Sequence, residues 1–262
     1  MLVGPFLISC RSHNLNCFED TTVNLMAKSK WEYVKDFEIG DSILPDVFIV
    51  VRVDGRGFTK FCIEHELLRP IDERMIGLMD SCGLAVMESY PDIAMAYGES
   101  DEFSFVFRRD ANTFNRRREK IVTTIVSLFT ANFVMKWDKY FVNYPLKQIP
   151  SFDGRIVLYP KYSVVKDYLS WRQADTHINA LYNYTLCTLL KNGIDPTTAT
   201  EQLRGTVSEE KRQILIENGI NYDLLPESHR KGSVFLRKTK VIHSNQDIIS
   251  DVFWKQHKKF FK

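Results

Sequence analysis

Hydrophobic residues recur along this chain with two different periods, and the alternation between these periods predicts its elements. Residues 47–53 form a nearly continuous β-branched run, which is typical of a strand buried on both faces. Apolar residues at helical spacing follow Asp72, a residue type that caps helices, and they predict a helix to about Tyr90. Between these elements we expect a loop or irregular turn over residues 54–69.

A β-hairpin is predicted next. Two runs of strand-forming residues, 93–97 and 103–107, flank a short polar turn that contains Gly98. The second run alternates, so its three phenylalanines share one face of the strand. That face is expected to belong to the core.

The turn of this hairpin carries more negative charge than a turn needs. Glu99, Asp101 and Glu102 lie within four residues, and like charges this close repel one another. We therefore expect a positive partner. A metal ion is the specific hypothesis, and a solvated acidic turn is the alternative.

The remaining elements complete a known order. A second long helix is predicted to begin at Thr113 or Asn115, and a fourth strand covers residues 155–159. The order β-α-β-β-α-β is that of the α+β, ferredoxin-like arrangement. Beyond residue 160 the pattern predicts several helices and one strand, residues 233–237.

Three parts of the chain are therefore expected. Residues 1–25 form a flexible extension or a leader, and Met26 is a possible alternative start. Residues 26–160 form the ferredoxin-like core. Residues 161–262 form a helical C-terminal region that packs on this core in the same globular unit.

This arrangement brings two distant carboxylates together. The right-handed crossover makes the first two strands parallel, and the third strand returns between them. Asp54 at the end of strand one and Asp101 at the start of strand three then lie across one gap of about 5 Å. Such a pair can hold two divalent ions about 4 Å apart. Gly55 could add a carbonyl ligand, and Gly55 with Gly57 would let backbone N–H groups approach a triphosphate.

Basic residues form a second candidate feature. Positive charge before a helix is unfavourable beside the helix dipole, so a phosphate is one expected partner and solvent is the alternative. Asp153-Gly154-Arg155 repeats the Asp-Gly-Arg string of residues 54–56. Its arginine could reach a triphosphate, or the string could simply be a turn that enters a strand. His177 lies in a polar helical segment that could form a binding face. The basic residues before the second helix are Arg108, Arg109, Arg116, Arg117, Arg118 and Lys120.

Composition narrows the function classes. The chain has 262 residues and a net charge of +2, so any nucleic-acid site must be a local patch. Its five scattered cysteines argue against a disulfide framework and for a reducing compartment. No apolar run is long enough to span a membrane. We expect a cytoplasmic or nuclear location, with a mitochondrial one as the alternative.

These motifs together resemble the tRNA-histidine guanylyltransferase family. The resemblance runs from residue 26 to about residue 254. It rests on the strings V-V-R-V-D-G-R-G-F, A-Y-G-E-S-D-E-F-S-F-V-F, F-D-G-R, D-Y-L-S-W-R-Q-A-D-T-H-I-N-A-L-Y-N and R-K-G. It implies a polymerase-palm-type fold, 3′-to-5′ addition of guanylate to histidine tRNA with ATP and GTP as substrates, and a homotetramer built as a dimer of dimers.

The resemblance also implies roles for individual residues. Asp54 and Asp101 would be catalytic and, with the Gly55 carbonyl, would bind two Mg²⁺ ions. The nucleotide contacts that it implies are Asp54, Gly55, Arg56, Gly57, Phe58, Thr59, Ser100, Asp101, Lys120 and Arg155. The tRNA contacts that it implies are His177, Lys211 and Asn221.

Three other functions remain open from the residues. A tRNA 5′-end repair polymerase would use the same chemistry, and a nucleotide cyclase would use the same metal pair on a free nucleotide. A non-catalytic RNA-binding module also uses the β-α-β-β-α-β order and would stack bases on Phe103, Phe105 and Phe107. The acidic pair argues against the module, because it would repel phosphate without a metal.

Overall fold

The computed structural model describes residues 29–261, so the predicted extension and Met26 lie outside the described residues. The chain forms two compact units, one that ends at Gly40 and one that begins at Asp41. In the described part of the first unit, Glu32–Phe37 form a short 3₁₀ helix. None of the helices within residues 29–261 is long and apolar enough to cross a membrane.

The second unit combines one sheet with several helices. The strands of the described residues are β1 (Phe48–Gly55), β2 (Ile93–Glu99), β3 (Glu102–Phe107), β4 (Phe152–Tyr159), β5 (Ser233–Arg237) and β6 (Val241–Ser244). Their helices are α1 (Phe58–Glu64), α2 (Glu73–Ser89), α3 (Arg118–Tyr140), α4 (Tyr162–Lys191), α5 (Pro196–Leu203), α6 (Ser208–Glu217), α7 (Glu227–Lys231) and α8 (Asp251–His257).

The strand order is β4-β1-β3-β2-β5-β6, and all neighbouring pairs are antiparallel. Because β1 and β2 both pair with β3, they run parallel to each other, as the crossover argument predicted. The C-terminal region is less helical than expected, since β5 and β6 extend the sheet beyond β2. The predicted strand at 233–237 is confirmed as β5.

The expectation of a loop over residues 54–69 was wrong. Phe58–Glu64 form helix α1, which begins after Gly57 in the left-handed conformation (φ 66°). Phe58 and Phe61 are buried in the core, so their spacing of three already carried a helical signal. We predicted a loop because Gly55 and Gly57, which precede the helix, are residues typical of turns.

Two predicted boundaries also move. The second long helix starts at Arg118, because Phe114, Asn115 and Arg116 adopt positive φ values of 53°, 53° and 58°, which no α-helix permits. The fourth strand starts at Phe152. Asp153-Gly154-Arg155 is therefore part of β4 and not a turn that enters it.

The sheet separates two apolar layers. On one face α2 and α3 cover Phe103, Phe105 and Phe107, which are buried as predicted. On the other face α4 and the C-terminal segment cover Phe48 and Val50. Both faces are closed by helices, which accounts for the continuous hydrophobic character of β1.

The ring of Phe103 fixes how α2 and the hairpin fit together. Gly83 of α2 and Gly98 of β2 face this ring from two sides, and a Cβ atom at either glycine would overlap it. Phe103 follows Asp101 by two residues, so the packing of this ring also fixes the acidic turn in position.

Gly83→Ala should therefore destabilise the protein. In a helix interior this change normally adds about 1 kcal/mol of stability. Overlap with a buried ring costs about 1–3 kcal/mol, so the sign should reverse. We expect a net loss of up to about 2 kcal/mol in the free energy of unfolding, measured by urea denaturation.

Two further variants make this test specific. Gly40→Ala, where no atom lies within 4 Å of the added Cβ, should leave stability unchanged. Phe103→Leu in the Gly83→Ala background should recover part of the loss, because the smaller side chain leaves room. A more stable Gly83→Ala protein would contradict the packing argument.

Candidate active site

The end of β1 and the start of β3 lie side by side and carry the predicted acidic pair. Asp54 is opposite Glu102 in the strand register. The Gly55 N–H donates a hydrogen bond to the Asp101 carbonyl at 3.0 Å. Asp54 and Asp101 therefore meet at one end of the sheet, where the strand order placed them.

Gly55 permits this close approach. A Cβ atom at Gly55 would lie 2.5 Å from the Phe58 ring and 2.9 Å from Asp101 Oδ2. The Asp101 carboxylate thus lies directly against the Gly55 backbone. A side chain at this position would displace either the carboxylate or a buried core ring.

The environment of Asp101 suits a cation. Burial, and then the negative charge of Asp54, raise the pKa of Asp101 to about 6, and a bound cation would reverse both effects. No group of three or more His, Cys, Asp or Glu side chains able to hold a metal occurs in the described residues. Two carboxylates and the Gly55 carbonyl nevertheless fit Mg²⁺, which prefers oxygen ligands and keeps positions for water and phosphate.

The other two carboxylates of the hairpin turn have a protein partner. Arg172 of α4 places Nη2 2.7 Å from Glu99 Oε1 and Nε 2.9 Å from Glu102 Oε1. Arg52 Nε lies 3.6 Å from the second oxygen of Glu102. Arg172 therefore supplies part of the positive charge that we expected at the turn. Of the three carboxylates, only that of Asp101 is left for a metal ion.

Sequence reasoning placed Arg172 only in the polar helical segment of His177, as part of a possible binding face, and missed its position at the acidic turn. Arg172 joins the two residues that flank Ser100-Asp101, so it holds both sides of the turn. Burial raises the pKa of Glu102 to about 7 against the opposing effect of the two guanidiniums. A signal was present, because Arg172 follows Val165 and Leu169 in the buried stripe of α4. A charge in such a stripe needs a buried partner.

The residues after Gly55 differ in what they can offer a nucleotide. The Arg56 N–H already donates to the Ser151 carbonyl at 2.8 Å. The Phe58 ring packs in the core against Phe61. Gly57 and Thr59 lie at the start of α1, where Gly57 provides the left-handed turn. Of the predicted nucleotide contacts 56–59, Phe58 can therefore act only through its main chain.

Most of the basic cluster is occupied inside the protein. The buried Arg116 guanidinium donates to backbone carbonyls, including Ala111 at 2.7 Å and Leu44 at 2.8 Å. Arg108 pairs with Asp92 at 3.2 Å. Arg116 and Arg108 are therefore structural, whereas the other members of the expected phosphate patch lie on the surface. Other ion pairs of the cluster are Arg109–Asp46 and Arg117–Asp41.

Lys120 and Arg155 have different positions relative to the acidic pair. Lys120 Nζ lies 5.1 Å from the centre of the Phe114 ring, which packs against Tyr90. Tyr90 adjoins the start of β2, at the opposite end of the sheet from Asp101. Arg155 is instead close to the acidic end, opposite Arg52 in the register, and pairs with Asp153 at 3.1 Å.

The three predicted tRNA contacts belong to the C-terminal region. His177 Nδ1 lies 3.1 Å from the Tyr222 hydroxyl, and burial, followed by Arg212, lowers its pKa. Asn221 precedes Tyr222 and caps a short 3₁₀ turn, so His177 and Asn221 are close. The Lys211 amine turns back to the Thr206 carbonyl and hydroxyl, both at 2.7 Å.

A cavity of about 390 Å³ adjoins the acidic turn, and the sequence reasoning did not anticipate it. Its volume is in the range of small-molecule sites. It reaches from Thr59 and Ser100 to Asp80, between α2 and α4. Burial raises the pKa of Asp80 to about 7, and Ser233 Oγ donates to Asp80 Oδ2 at 2.8 Å. Met75 and Met79, which belong to the apolar residues at helical spacing after Asp72, also contribute to the wall.

Comparison with known families identifies the family of this chain. Residues 31–160 match the model of tRNAHis guanylyltransferase (Thg1), and residues 163–260 match the model of the Thg1 C-terminal domain. The chain belongs to the tRNA-histidine guanylyltransferase family. It is accordingly a nucleotidyltransferase.

Individual relatives are similar over nearly the whole chain. The probable tRNA(His) guanylyltransferase of Drosophila melanogaster is 47% identical, over 88% of this chain and 85% of that protein. The tRNA(His) guanylyltransferase of Schizosaccharomyces pombe is 49% identical, over 81% of this chain and 82% of that protein.

Solved structures of the family share the fold. The crystal structure of tRNA(His) guanylyltransferase from Saccharomyces cerevisiae has a TM-score of 0.79 at 44% identity, and it covers 86% of this chain and 99% of its own. A bacterial guanylyltransferase-like protein in complex with ATP has a TM-score of 0.72 at 21% identity, over 87% of this chain and 96% of its own. The second likeness shows the fold alone.

Asp101→Asn should make the protein more stable at pH 8 when divalent ions are absent. The pKa of Asp101 is about 6 in the folded chain and about 4 in an unfolded one, so the native state loses relative stability as pH rises through 6. The amide avoids that loss. We expect a gain on the order of 2 kcal/mol at pH 8 that nearly vanishes at pH 4, measured by thermal unfolding in EDTA.

The exposed Asp138 of α3 provides the control. Asp138→Asn should change stability little at either pH. Equal stability of the wild-type and Asp101→Asn proteins at pH 8 would show that Asp101 carries no electrostatic penalty.

Proposed function

We propose that this chain adds a guanylate to the 5′ end of histidine tRNA. ATP adenylylates the 5′-monophosphate and releases pyrophosphate. The 3′-hydroxyl of GTP then attacks the phosphorus atom of the RNA 5′-phosphate and displaces AMP. Pyrophosphate is finally removed from the new 5′ end. The observation that carries the proposal is the Asp54–Asp101 pair at neighbouring strand ends, in a chain of this family.

Asp54, Asp101 and the Gly55 carbonyl would hold two Mg²⁺ ions, which supply charge neutralisation and activation of the attacking oxygen when bound. The protein's own contribution is preorganisation. Arg172 fixes both sides of the turn that carries Asp101, and the tight Gly55 contact fixes the carboxylate against β1. Acids held in this way need little reorganisation during the reaction.

A palm-type, ferredoxin-like classification belongs to this proposal. The partial order β4-β1-β3-β2, with α2 and α3 on one face, supports it. In such a sheet the acidic residues project from the central strands, where a nucleotide and a second substrate can approach from different sides.

The nucleotide is proposed to bind between residues 55–59 and Ser100. Its phosphates would lie at the acidic pair, near Arg155. Its base would enter the 390 Å³ cavity, because Thr59 and Ser100 line the mouth of that cavity. The cavity combines an apolar floor with a few polar groups, which is the usual character of a site for a base.

The tRNA and the assembly complete the proposal. His177 and Asn221, linked through Tyr222, would contact the tRNA, and Lys211 would support the same region through its contact with Thr206. We propose a homotetramer. Since Lys120 lies at the far end of the sheet from Asp101, it would reach a nucleotide only in another copy of the chain.

The binding-module alternative loses its main support. Phe103, Phe105 and Phe107 are buried beneath α2 and α3, so no base can stack on them. A role in 5′-end repair uses the same site, and substrate choice separates it from histidine tRNA maturation.

Labelled GTP should be transferred to a 5′-monophosphorylated histidine tRNA transcript when Mg²⁺ and ATP are present. Asp101→Ala should reduce transfer by at least about 10³-fold, because it removes one of the two carboxylate ligands for the ions. It should leave tRNA affinity within about 2-fold, since the residues proposed to contact the tRNA belong to the C-terminal region. The exposed Asp138→Ala should behave as wild type.

The RNA substrate distinguishes the outcomes. Label on histidine tRNA that depends on ATP supports the proposal. Label only on 5′-truncated tRNAs moves the biological role to end repair with the same chemistry. Near-normal transfer by Asp101→Ala would refute the metal assignment.

A further inference from the structure

Trp171 of α4 has no part in the function proposed above, yet it lies beside the site. Its side chain is 53% exposed. The Arg172 guanidinium lies 4.2 Å from the centre of the Trp171 ring, in a cation–π arrangement. The same guanidinium binds Glu99 and Glu102, so one side of the ring rests on a group that is itself fixed.

The geometry of α4 gives the direction in which Trp171 points. Gln173 faces the β5 side, because its amide donates to the Lys231 and Gln246 carbonyls. Tyr168 faces the opposite side, where it packs 5.4 Å from Tyr159 of β4. Residues three apart share a helix face, and the ring centres of Tyr168 and Trp171 are 6.1 Å apart, so Trp171 is on the side of Tyr168, toward β4.

Measured along the direction of the strands, Trp171 lies at the same height as Asp54 and Asp101. Its neighbour Arg172 contacts Glu102, which is directly opposite Asp54. Arg155 of β4 is half-exposed and lies two register pairs from the row of Asp54. The exposed ring therefore adjoins a surface with two carboxylates for metal and one arginine for phosphate.

The nucleotide base does not need this ring. The cavity proposed for that base is lined from α4 by Thr176, Asn179 and Asn183, and Trp171 is not part of its wall. At 100° per residue, these positions lie about 80–140° around the helix from Trp171. The ring is thus available to the other substrate.

We propose that Trp171, supported by Arg172, is the platform on which the base of the 5′-terminal nucleotide of the RNA stacks. This inference rests on the proposed function, which supplies an RNA 5′ end at this site. Stacking is tolerant of base identity, because every base offers a π face. It would place the terminal phosphate next to Asp54 and Asp101 without base-specific hydrogen bonds.

The test combines a protein change with an RNA change. Two 5′-monophosphorylated histidine tRNA transcripts are compared, one intact and one with an abasic first nucleotide. Affinity is measured with Mg²⁺ and without ATP or GTP, so that no turnover is needed. Trp171→Ala should weaken binding of the intact RNA by about 5- to 150-fold and binding of the abasic RNA by less than about 2-fold.

Two further variants keep the test specific. Trp171→Phe retains an aromatic face and should keep most of the affinity. Trp31→Ala removes the other exposed tryptophan of the described residues, 63% exposed, and should bind both RNAs as the wild type does. Thermal unfolding of each variant confirms that it is folded.

Two results would overturn the inference. An equal loss on intact and abasic RNA would mean that the ring acts through the fold or through Arg172. A loss of GTP affinity in Trp171→Ala, measured separately, with unchanged RNA affinity would assign the ring to the free nucleotide. Failure of GTP transfer by the wild-type protein would count against the proposed function, whereas base-dependent coupling to Trp171 would still be seen in the binding data.

Discussion

The buried guanidinium of Arg172 is the interaction on which the acidic end of the sheet depends. It crosses from α4 to the hairpin and binds Glu99 and Glu102 on either side of Ser100-Asp101. Removing one partner of such a buried pair typically costs about 3–5 kcal/mol, because a charge is left uncompensated. Without Arg172, three carboxylates of one turn would face a low-dielectric interior together.

Arg172 neutralises only part of the negative charge of the hairpin turn. Arg172 binds the two glutamates and does not bind Asp101. Burial, together with the like charge of Asp54, therefore raises the pKa of Asp101 to about 6. The unpaired site is therefore less stable than it could be. Such a local cost is expected where a protein keeps a position open for a ligand that brings its own positive charge.

Much of the fold could be predicted because it depends on local patterns. The alternation in the hairpin and the β-branched run of β1 were sufficient to place Asp54 and Asp101 at neighbouring strand ends. The order of the first three strands followed from the handedness of the crossover. By contrast, helix α1 was missed, because the glycines at 55 and 57 resemble a loop in sequence while they serve a close contact and a left-handed turn.

The site could be predicted only as far as charges in one segment reveal their partners. The charges of Glu99 and Glu102 indicated that a positive partner was missing. Arg172 is about seventy residues away in sequence, so only the packing of α4 on the sheet shows that it is this partner. The basic cluster before α3 illustrates the reverse case. Its local excess of positive charge suggested a phosphate ligand. The guanidinium of Arg116 instead donates to backbone carbonyls such as those of Leu44 and Ala111.

These two arginines show why a cluster of like charges cannot be interpreted from sequence alone. Both are buried and both fix a turn or loop in place, but Arg116 binds neutral carbonyls and Arg172 binds carboxylates. A guanidinium has five donors in a fixed fork, so it can replace a set of missing backbone hydrogen bonds as readily as it can neutralise acids. Whether such a residue is structural or belongs to the active site is decided by what surrounds its partners. For Arg172, that surrounding is the turn that carries Asp101.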